Sequence, residues 1–233
     1  MSEIISNQNH VEFYDKTATN KGKQFNLWTR GLCYEMYYLP RLLEWEVFPS
    51  QGNVTEVGCG MGHKLEKTRQ ALDPWIQITG IEASKPLLKA GLEKHPKLKN
   101  LCRVDNAFTL ETLKDQSQDV MMYYQILHHF DAQEIEQAIK TAKKKLKNKG
   151  KIVIIDTFNM EDKPLRKQWF NIIEPIYAIL ASRSKTGKHS YHNQPKDHFI
   201  HFMEAHGFKQ IHKTEDEMPY IISEMIVFEK IDS

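Results

Sequence analysis

The stretch Val54-Thr-Glu-Val-Gly-Cys-Gly-Met-Gly62 decides how the rest of the chain is read. A short β-branched run closes on an acid, Glu56, and breaks into glycines at alternate positions, Gly58, Gly60 and Gly62; a helical pattern, His63 to Leu72, follows. The order is strand, tight turn, helix. Alternate glycines let the backbone take positive φ and let a ligand approach closer than a Cβ would allow, while the new helix offers unpaired N–H groups at its start. A nucleotide-like cofactor is the natural occupant. A side chain at Gly58 or Gly60 is expected to take the space it needs.

The spacing separates this turn from other glycine-rich loops. A dinucleotide fingerprint needs G-x-G-x-x-G, and counting from Gly58 places His63 where its third glycine belongs. A phosphate-binding P-loop needs Gly-Lys-Ser/Thr after a longer loop, which is not present. An acid two residues before the first glycine would repel a pyrophosphate but suits a cofactor carrying an ammonium and a sulfonium. The stretch resembles motif I of the class I S-adenosylmethionine-dependent methyltransferases, E/D-x-G-x-G-x-G, and matches it fully in Glu56, Gly58, Gly60 and Gly62.

Outward from the turn, strands and helices alternate. Trp75 to Glu82 reads as strand two, Ser84 caps a helix with Pro86 in its first turn, and Leu98 to Val104 is a weaker strand three. Asp119 to Tyr124 is strand four, Asp131 caps a helix reaching Lys147, and Lys151 to Thr157 is a near-continuous apolar strand five, as expected when both sheet faces are covered. This is an α/β pattern with a parallel sheet and right-handed crossovers. Asp197 to Ala205 makes a further helix; Phe208 to Lys213 and Tyr220 to Glu229 are strands placed for an antiparallel end.

Leu127-His-His129 after strand four and Leu146-Lys-Asn-Lys-Gly150 before strand five resemble the same family, so the resemblance covers about residues 52–157. It implies a Rossmann-like, seven-stranded, mostly parallel sheet with an antiparallel last strand, plus helical lid elements. It divides one domain, 1–233, into N-terminal lid helices (1–48), a cofactor-binding core (49–157), a lid insertion (158–196) and a C-terminal helix with two strands (197–233).

In open α/β sheets ligands bind beyond the carboxyl ends of the strands. Glu82 ends strand two, where a carboxylate can accept both ribose hydroxyls, and Ser84 is the better cap for the next helix. By resemblance Asp105, with Asn106 beside it, accepts from the adenine amino group. Val104 replaces the family's usual glycine there, so a simple turn aspartate stays open. Resemblance also brings Cys59, Ala83, Tyr124 and Gln125 to the cofactor, and makes Tyr14 a candidate for an N-terminal tyrosine that folds over it; the alternative for Tyr14 is a core anchor.

Large apolar and aromatic residues between Gln24 and Phe48, interrupted at Pro40, suit two helical pieces packed on the core or a lid over an apolar substrate. Glu161 to Ser182 reads as a long apolar helix and Arg183 to Pro195 as a polar loop of functional length. His129, His192 and Tyr124 are the candidates for contacting the acceptor, and a histidine suits a base role. No H-E-x-x-H or paired-cysteine pattern accompanies the histidines, so no metal is expected.

The chain of 233 residues is 40% hydrophobic and 27% charged, with net charge +2, which gives no general drive toward nucleic acid or anionic membrane. The basic run Lys143 to Lys151 reads as a solvated helix end. Cys33, Cys59 and Cys102 show no paired spacing, as expected of reduced thiols in a cytosolic protein, and neither an export signal nor a membrane span is expected. The expected activity is methyl transfer from S-adenosylmethionine to a small, apolar or aromatic acceptor, mainly by alignment and desolvation. An RNA or protein methyltransferase and a non-catalytic cofactor-binding module are the alternatives; oligomeric state is not legible.

Overall fold

A computed structural model describes residues 11, 12, 14–16, 18–20, 30–158, 196–214 and 223–231. The expected helix Glu161 to Ser182, the loop Arg183 to Pro195 with His192, and the segment 21–29 lie outside these residues.

The order of elements follows the alternation read from the sequence. A π-helical turn, Tyr34–Tyr38, leads into α1 (Leu39–Glu44); then come β1 (Gly52–Val57), α2 (His63–Ala71), β2 (Ile76–Glu82), α3 (Lys85–Lys94), β3 (Cys102–Val104) and β4 (Gln118–Tyr124). α4 (Ala132–Lys145), β5 (Leu146–Asp156), α5 (Lys196–Ala205), β6 (Phe208–Lys213) and β7 (Glu224–Lys230) complete the described chain. The sheet order is β3-β2-β1-β4-β5-β7-β6. β1 to β5 pair in parallel, and β7 runs antiparallel to both β5 and β6. The order reverses between β1 and β4, and a crevice opens there beyond the carboxyl ends of the strands.

Each buried strand sends alternate residues to opposite faces. Met121 and Tyr123 of β4 and Ile152 and Ile154 of β5 pack with Ile135, Ala138, Ile139, Phe199 and Met203 of α4 and α5. Val120, Met122 and Tyr124, with Val153 and Ile155, meet Leu65 of α2 and the N-terminal Tyr34, Tyr37, Tyr38 and Leu42. Burying each such aliphatic side chain stabilises by roughly 1.5–3 kcal/mol, which explains the unbroken apolar run of β5.

Local signals place the helix starts. Ser84 Oγ accepts the Leu87 N–H at 3.2 Å, and Asp131 and Glu134 form a reciprocal capping box at the head of α4. Pro40 does not split the N-terminal segment into two pieces. The preceding turn widens, the Leu39 N–H donates to Tyr34 O, and Pro40 falls at the start of α1, where its missing N–H costs little.

The basic run departs further from expectation. α4 ends at Lys145, and Leu146–Gly150 already belongs to β5, with a register shift against β4 between Gln118 and Val120 and Lys149 at φ 58°. Lys145 is buried and donates to Leu113 O (2.8 Å) and Asp115 Oδ1 (2.9 Å), while Lys147 pairs with both Asp119 oxygens. Lys145 ties the loop 113–115 to the end of α4, and Lys147 ties β5 to β4. Among the described residues no helix is long and apolar enough to cross a membrane.

Candidate functional site

The glycine turn sits at the centre of a cleft of about 1020 Å³, open to solvent, above the carboxyl ends of β1, β2 and β4. Gly58, Gly60 and Gly62 have φ of 72°, 56° and 80°, a region that side-chain-bearing residues rarely adopt. The Gly58 and Cys59 N–H groups both donate to Ile81 O, at 2.8 and 2.9 Å, which pins the turn to β2.

The glycines have different reasons for being glycine. A Cβ on Gly58 would lie 2.6 Å from Ile126 Cδ1, and one on Gly62 would lie 2.7 Å from Leu98 Cδ1. A Cβ on Gly60 would meet nothing nearer than Leu87 Cδ2 at 4.0 Å and would project into open space. A side chain at Gly58 would first meet protein, whereas one at Gly60 would enter the open cleft where a ligand's space is expected. Gly58 makes room for the chain's own Ile126, and Gly60 leaves its side open.

Glu82 is buried at the end of β2. Its Oε2 accepts the Gly60 N–H at 2.9 Å and its Oε1 accepts the Ser84 N–H at 2.8 Å. Burial pushes its carboxyl up from the usual range, against the Ser84 and Gly60 N–H groups. Glu82 thus shapes the turn as well as facing the cleft beside Ala83.

Glu56, 3% exposed, lies behind Lys64 of α2, whose Nζ is 3.1 Å from Oε1. Burial pushes the Glu56 carboxyl up and the Lys64 ammonium pulls it back. Lys64 Nζ also lies 4.9 Å from the centre of the Tyr124 ring. The cation that meets Glu56 is the chain's own, and the sequence reading passed over Lys64 although it stands in the first turn after the glycines.

Asp105 and Asn106 line the cleft beyond β3, but their oxygens organise their own loop. Asp105 Oδ2 accepts the Thr112 N–H and hydroxyl, both at 2.7 Å, Oδ1 accepts the Asn106 N–H, and Asn106 Oδ1 accepts the Phe108 N–H. Burial raises the Asp105 carboxyl, and the bonds from Thr112 and Asn106 outweigh it, leaving it below the usual range. These bonds are those of a turn aspartate, made by a residue that also lines the cleft.

On the β4 side, Tyr124 donates to Arg30 O (3.1 Å) and meets Tyr34 and Tyr38 edge-on; burial pushes its hydroxyl well up. Gln125, at φ 54°, donates to Ser223 Oγ. His129 lines the cleft, and its Nε2 lies 2.6 Å from the hydroxyl of Tyr14, brought in from 115 residues away. Next to Tyr14, Asp15 Oδ1 accepts the Ser84 hydroxyl at 2.6 Å. The short N-terminal segment is therefore fastened on both sides of the cleft, to the β2 side through Asp15 and to the β4 side through Tyr14.

Two arrangements were not legible in the sequence. Glu66 pairs with His95 Nδ1, and His95 Nε2 lies 2.7 Å from His63 Nδ1. His63 lines the cleft with its Nε2 buried and unpartnered; burial, then His95, lowers its imidazole to about 4, so it is neutral near pH 7. The thiols of Cys59 and Cys102 meet beneath the turn, and a Cβ on Gly80 would lie 2.9 and 3.0 Å from the two sulfurs. Their contact, with burial, pushes Cys59 up, and the Cys59 contact lowers Cys102.

The cleft fits the expected cofactor. It has a turn whose middle glycine faces open space, a strand-end carboxylate beside it, and the start of α2 with Lys64 and His63 at its margin. Among the described residues no three His, Cys, Asp or Glu side chains group as a metal would need.

Comparison with known proteins agrees with this geometry. Residues 55–154 match the methyltransferase domain family. An uncharacterized methyltransferase of Alkaliphilus oremlandii (strain OhILAs) is 28% identical over 151 residues, 64% of this chain and 66% of that protein. A solved S-adenosylmethionine-dependent methyltransferase from Methanosarcina mazei superposes over 82% of this chain and 98% of its own, with TM-score 0.62 and 16% identity. Magnesium protoporphyrin IX methyltransferase from Synechocystis PCC 6803, solved with bound SAH, covers 91% of this chain and 88% of its own, with TM-score 0.63 and 11% identity. At such identities the superpositions speak to the fold.

Proposed function

Residues 55–154 form a methyltransferase domain of the class I S-adenosylmethionine-dependent type, and from that premise we propose that the chain methylates a small, largely apolar or aromatic acceptor. Bound S-adenosylmethionine supplies a methyl group on a positively charged sulfur, which becomes a neutral thioether when the carbon–sulfur bond pair returns to it. The chain's work is to hold, align and keep dry. The turn Gly58–Gly62 and Glu82 would hold the nucleoside, and His63 and Lys64 line the cleft beside that turn. Alignment of bound reactants lowers a barrier by roughly 7–11 kcal/mol, so a covered cleft serves this reaction better than a strong base.

The observation that carries the reading is the fastening of Tyr14 and Asp15 across the cleft, from His129 to Ser84. It bridges the cleft from the β2 side to the β4 side, which supports a small acceptor rather than a duplex. The aromatic lining of the cleft, Tyr14, Phe108, Tyr124 and Phe130, supports an apolar acceptor, and the name of one fold neighbour, a magnesium protoporphyrin IX methyltransferase, is in keeping with a small molecule. Free thiols at Cys59 and Cys102 support a cytosolic setting. The insertion 158–196, with His192, belongs to the same proposal as a further part of the cover.

The test is calorimetry with S-adenosylmethionine and with NAD, followed by transfer of labelled methyl to metabolite extract and to RNA. Binding of S-adenosylmethionine with label entering small molecules is the expected result. Label entering RNA would overturn the acceptor class, and binding without transfer to any acceptor would favour a non-catalytic module.

A further inference from the structure

His63 and His95 form a chain that starts at a carboxylate and stops short of a partner. Glu66 of α2 pairs with Nδ1 of His95, which closes α3, and His95 Nε2 lies 2.7 Å from Nδ1 of His63, the first residue of α2. Beyond them His63 Nε2 is buried and has no hydrogen-bond partner among the described residues, in a ring that lines the main cleft. A buried polar atom in that state is destabilising until something answers it. Its place beside the cofactor turn makes a ligand the candidate partner.

The carboxylate fixes where the protons sit. A carboxylate accepts, so His95 carries a proton on Nδ1. While His95 is neutral, its Nε2 is a lone pair and takes the bond from His63 Nδ1–H, which leaves the lone pair of His63 at Nε2. One added proton inverts this. It enters at His63 Nε2, the Nδ1 proton passes to His95 Nε2, and His95 becomes an imidazolium against Glu66, while His63 stays neutral with its N–H now on Nε2. The charge settles on His95 because Glu66 touches that ring, whereas burial, then His95, Lys64 and Lys94, hold the His63 imidazole down at about 4. The same atom at the cleft is thus an acceptor in one state and a donor in the other.

The surrounding charges favour the donor state once a ligand is present. Lys64 and Arg30 both line the cleft, and a Cβ on Gly31, next to Arg30, would lie 3.2 Å from His63 Cβ, so that segment packs on the ring. Lys94 of α3 is a further cation, while Glu66 is answered by His95 and Glu56 by Lys64. The start of α2 has no side-chain cap and adds its unpaired N–H groups. An anion suits this corner. We propose that His63 Nε2 donates to the carboxylate at the methionyl end of the cofactor, and that binding it draws one proton onto His95. His63 is the binding residue, and His95 and Glu66 position it. The inference rests on the methyl-transfer reading and deepens it by linking affinity to pH. With one proton taken up per ligand, affinity falls by up to about tenfold per unit rise in pH while free His95 is neutral.

The test measures proton uptake, by calorimetry of the full chain in buffers of different ionisation enthalpy at about pH 8, above the usual range of an imidazole. The probes are S-adenosylhomocysteine, which keeps the carboxylate, and 5′-methylthioadenosine, which lacks the amino-acid end. The first should bind with uptake of about one proton and the second with none. His95→Gln should abolish the uptake. His63→Leu should weaken S-adenosylhomocysteine by about tenfold and leave 5′-methylthioadenosine within about twofold of the parent. Independently of any variant's folding, ¹⁵N spectra of the wild type should show the His63 proton on Nδ1 in the free chain and on Nε2 with S-adenosylhomocysteine bound. No uptake with S-adenosylhomocysteine, equal uptake with both probes, undiminished uptake in folded His95→Gln, or a His63 tautomer unchanged by the probe would each overturn the inference. If the wild type binds neither S-adenosylmethionine nor S-adenosylhomocysteine, the methyltransferase reading falls, and acidifying the free chain judges the relay. A His63 proton that moves to Nε2 as His95 gains charge would support it, and one that stays on Nδ1 would overturn it.

Discussion

Replacing Gly60 by alanine separates the ligand's space from the protein's own. At φ 56° an alanine carries the left-handed cost of roughly 1–2 kcal/mol, and its Cβ meets nothing closer than Leu87 Cδ2 at 4.0 Å, so no packing cost is added. For a domain of this size that is a fall of about 2–8 °C in Tm. The methyl group stands in the open cleft, so S-adenosylmethionine should bind at least about tenfold more weakly, a loss of roughly 1.4 kcal/mol or more. Gly58→Ala behaves differently. It carries the same backbone cost, and its Cβ also falls 2.6 Å from Ile126 Cδ1, an overpacking worth about 1–3 kcal/mol more. Ile126→Val deletes that atom, so the pair Gly58→Ala with Ile126→Val should recover much of the stability, whereas Ile126→Val should rescue nothing in Gly60→Ala. Thermal unfolding and calorimetry on the same samples report both quantities. A folded Gly60→Ala that binds S-adenosylmethionine as tightly as the parent would refute the reasoning, because the open side of the turn would then not be where the ligand lies.

Glu82→Ala removes the acceptor of two buried backbone donors, Gly60 N–H and Ser84 N–H, at roughly 1.5–3 kcal/mol for each bond to a charged group. Both Tm and cofactor affinity should therefore fall, and a change in affinity with Tm unmoved would mean that the two bonds do not hold the turn. His63 gives a pH signature. Its folded value, about 4, lies below the unfolded 6.5, so the unfolded chain binds more protons between these values and stability falls as pH drops from 6.5 to 4. Because the ring is partly exposed, solvent screening trims the full linkage to about 1–2 kcal/mol. His63→Asn should flatten the Tm profile across that window, and an unchanged slope would count against the burial of its neutral ring.

The cofactor turn was legible because its signals are local. Glu56 and the three glycines lie within seven positions, Ser84 and Asp131 cap helices three residues ahead, and the apolar run of β5 declares a strand covered on both sides. What escaped depends on residues distant in sequence. His63 and His95 are 32 apart, Tyr14 and His129 are 115 apart, and the pairing of His128 with Asp156 needs the register of β4 against β5. The glycine pattern indicated where a ligand belongs, yet could not show that Gly58 yields its space to Ile126. Nor could it show that Glu56 is answered by Lys64, since that depends on burial of both groups.

The strand order also sets a timetable for assembly. β6 hydrogen-bonds only with β7 among the described strands, and β7 joins it to β5, so β6 waits for a strand that leaves the ribosome after it. Tyr38, from the early helical segment, donates to Ser223 O just ahead of β7, and Lys230 donates to Leu146 O. A nascent chain halted before Glu224 would expose the edge of β5 and leave the floor under Tyr124 incomplete. Closing this sheet is therefore a late and long-range event, slow on topological grounds, and it is the interval in which a chaperone would find the chain.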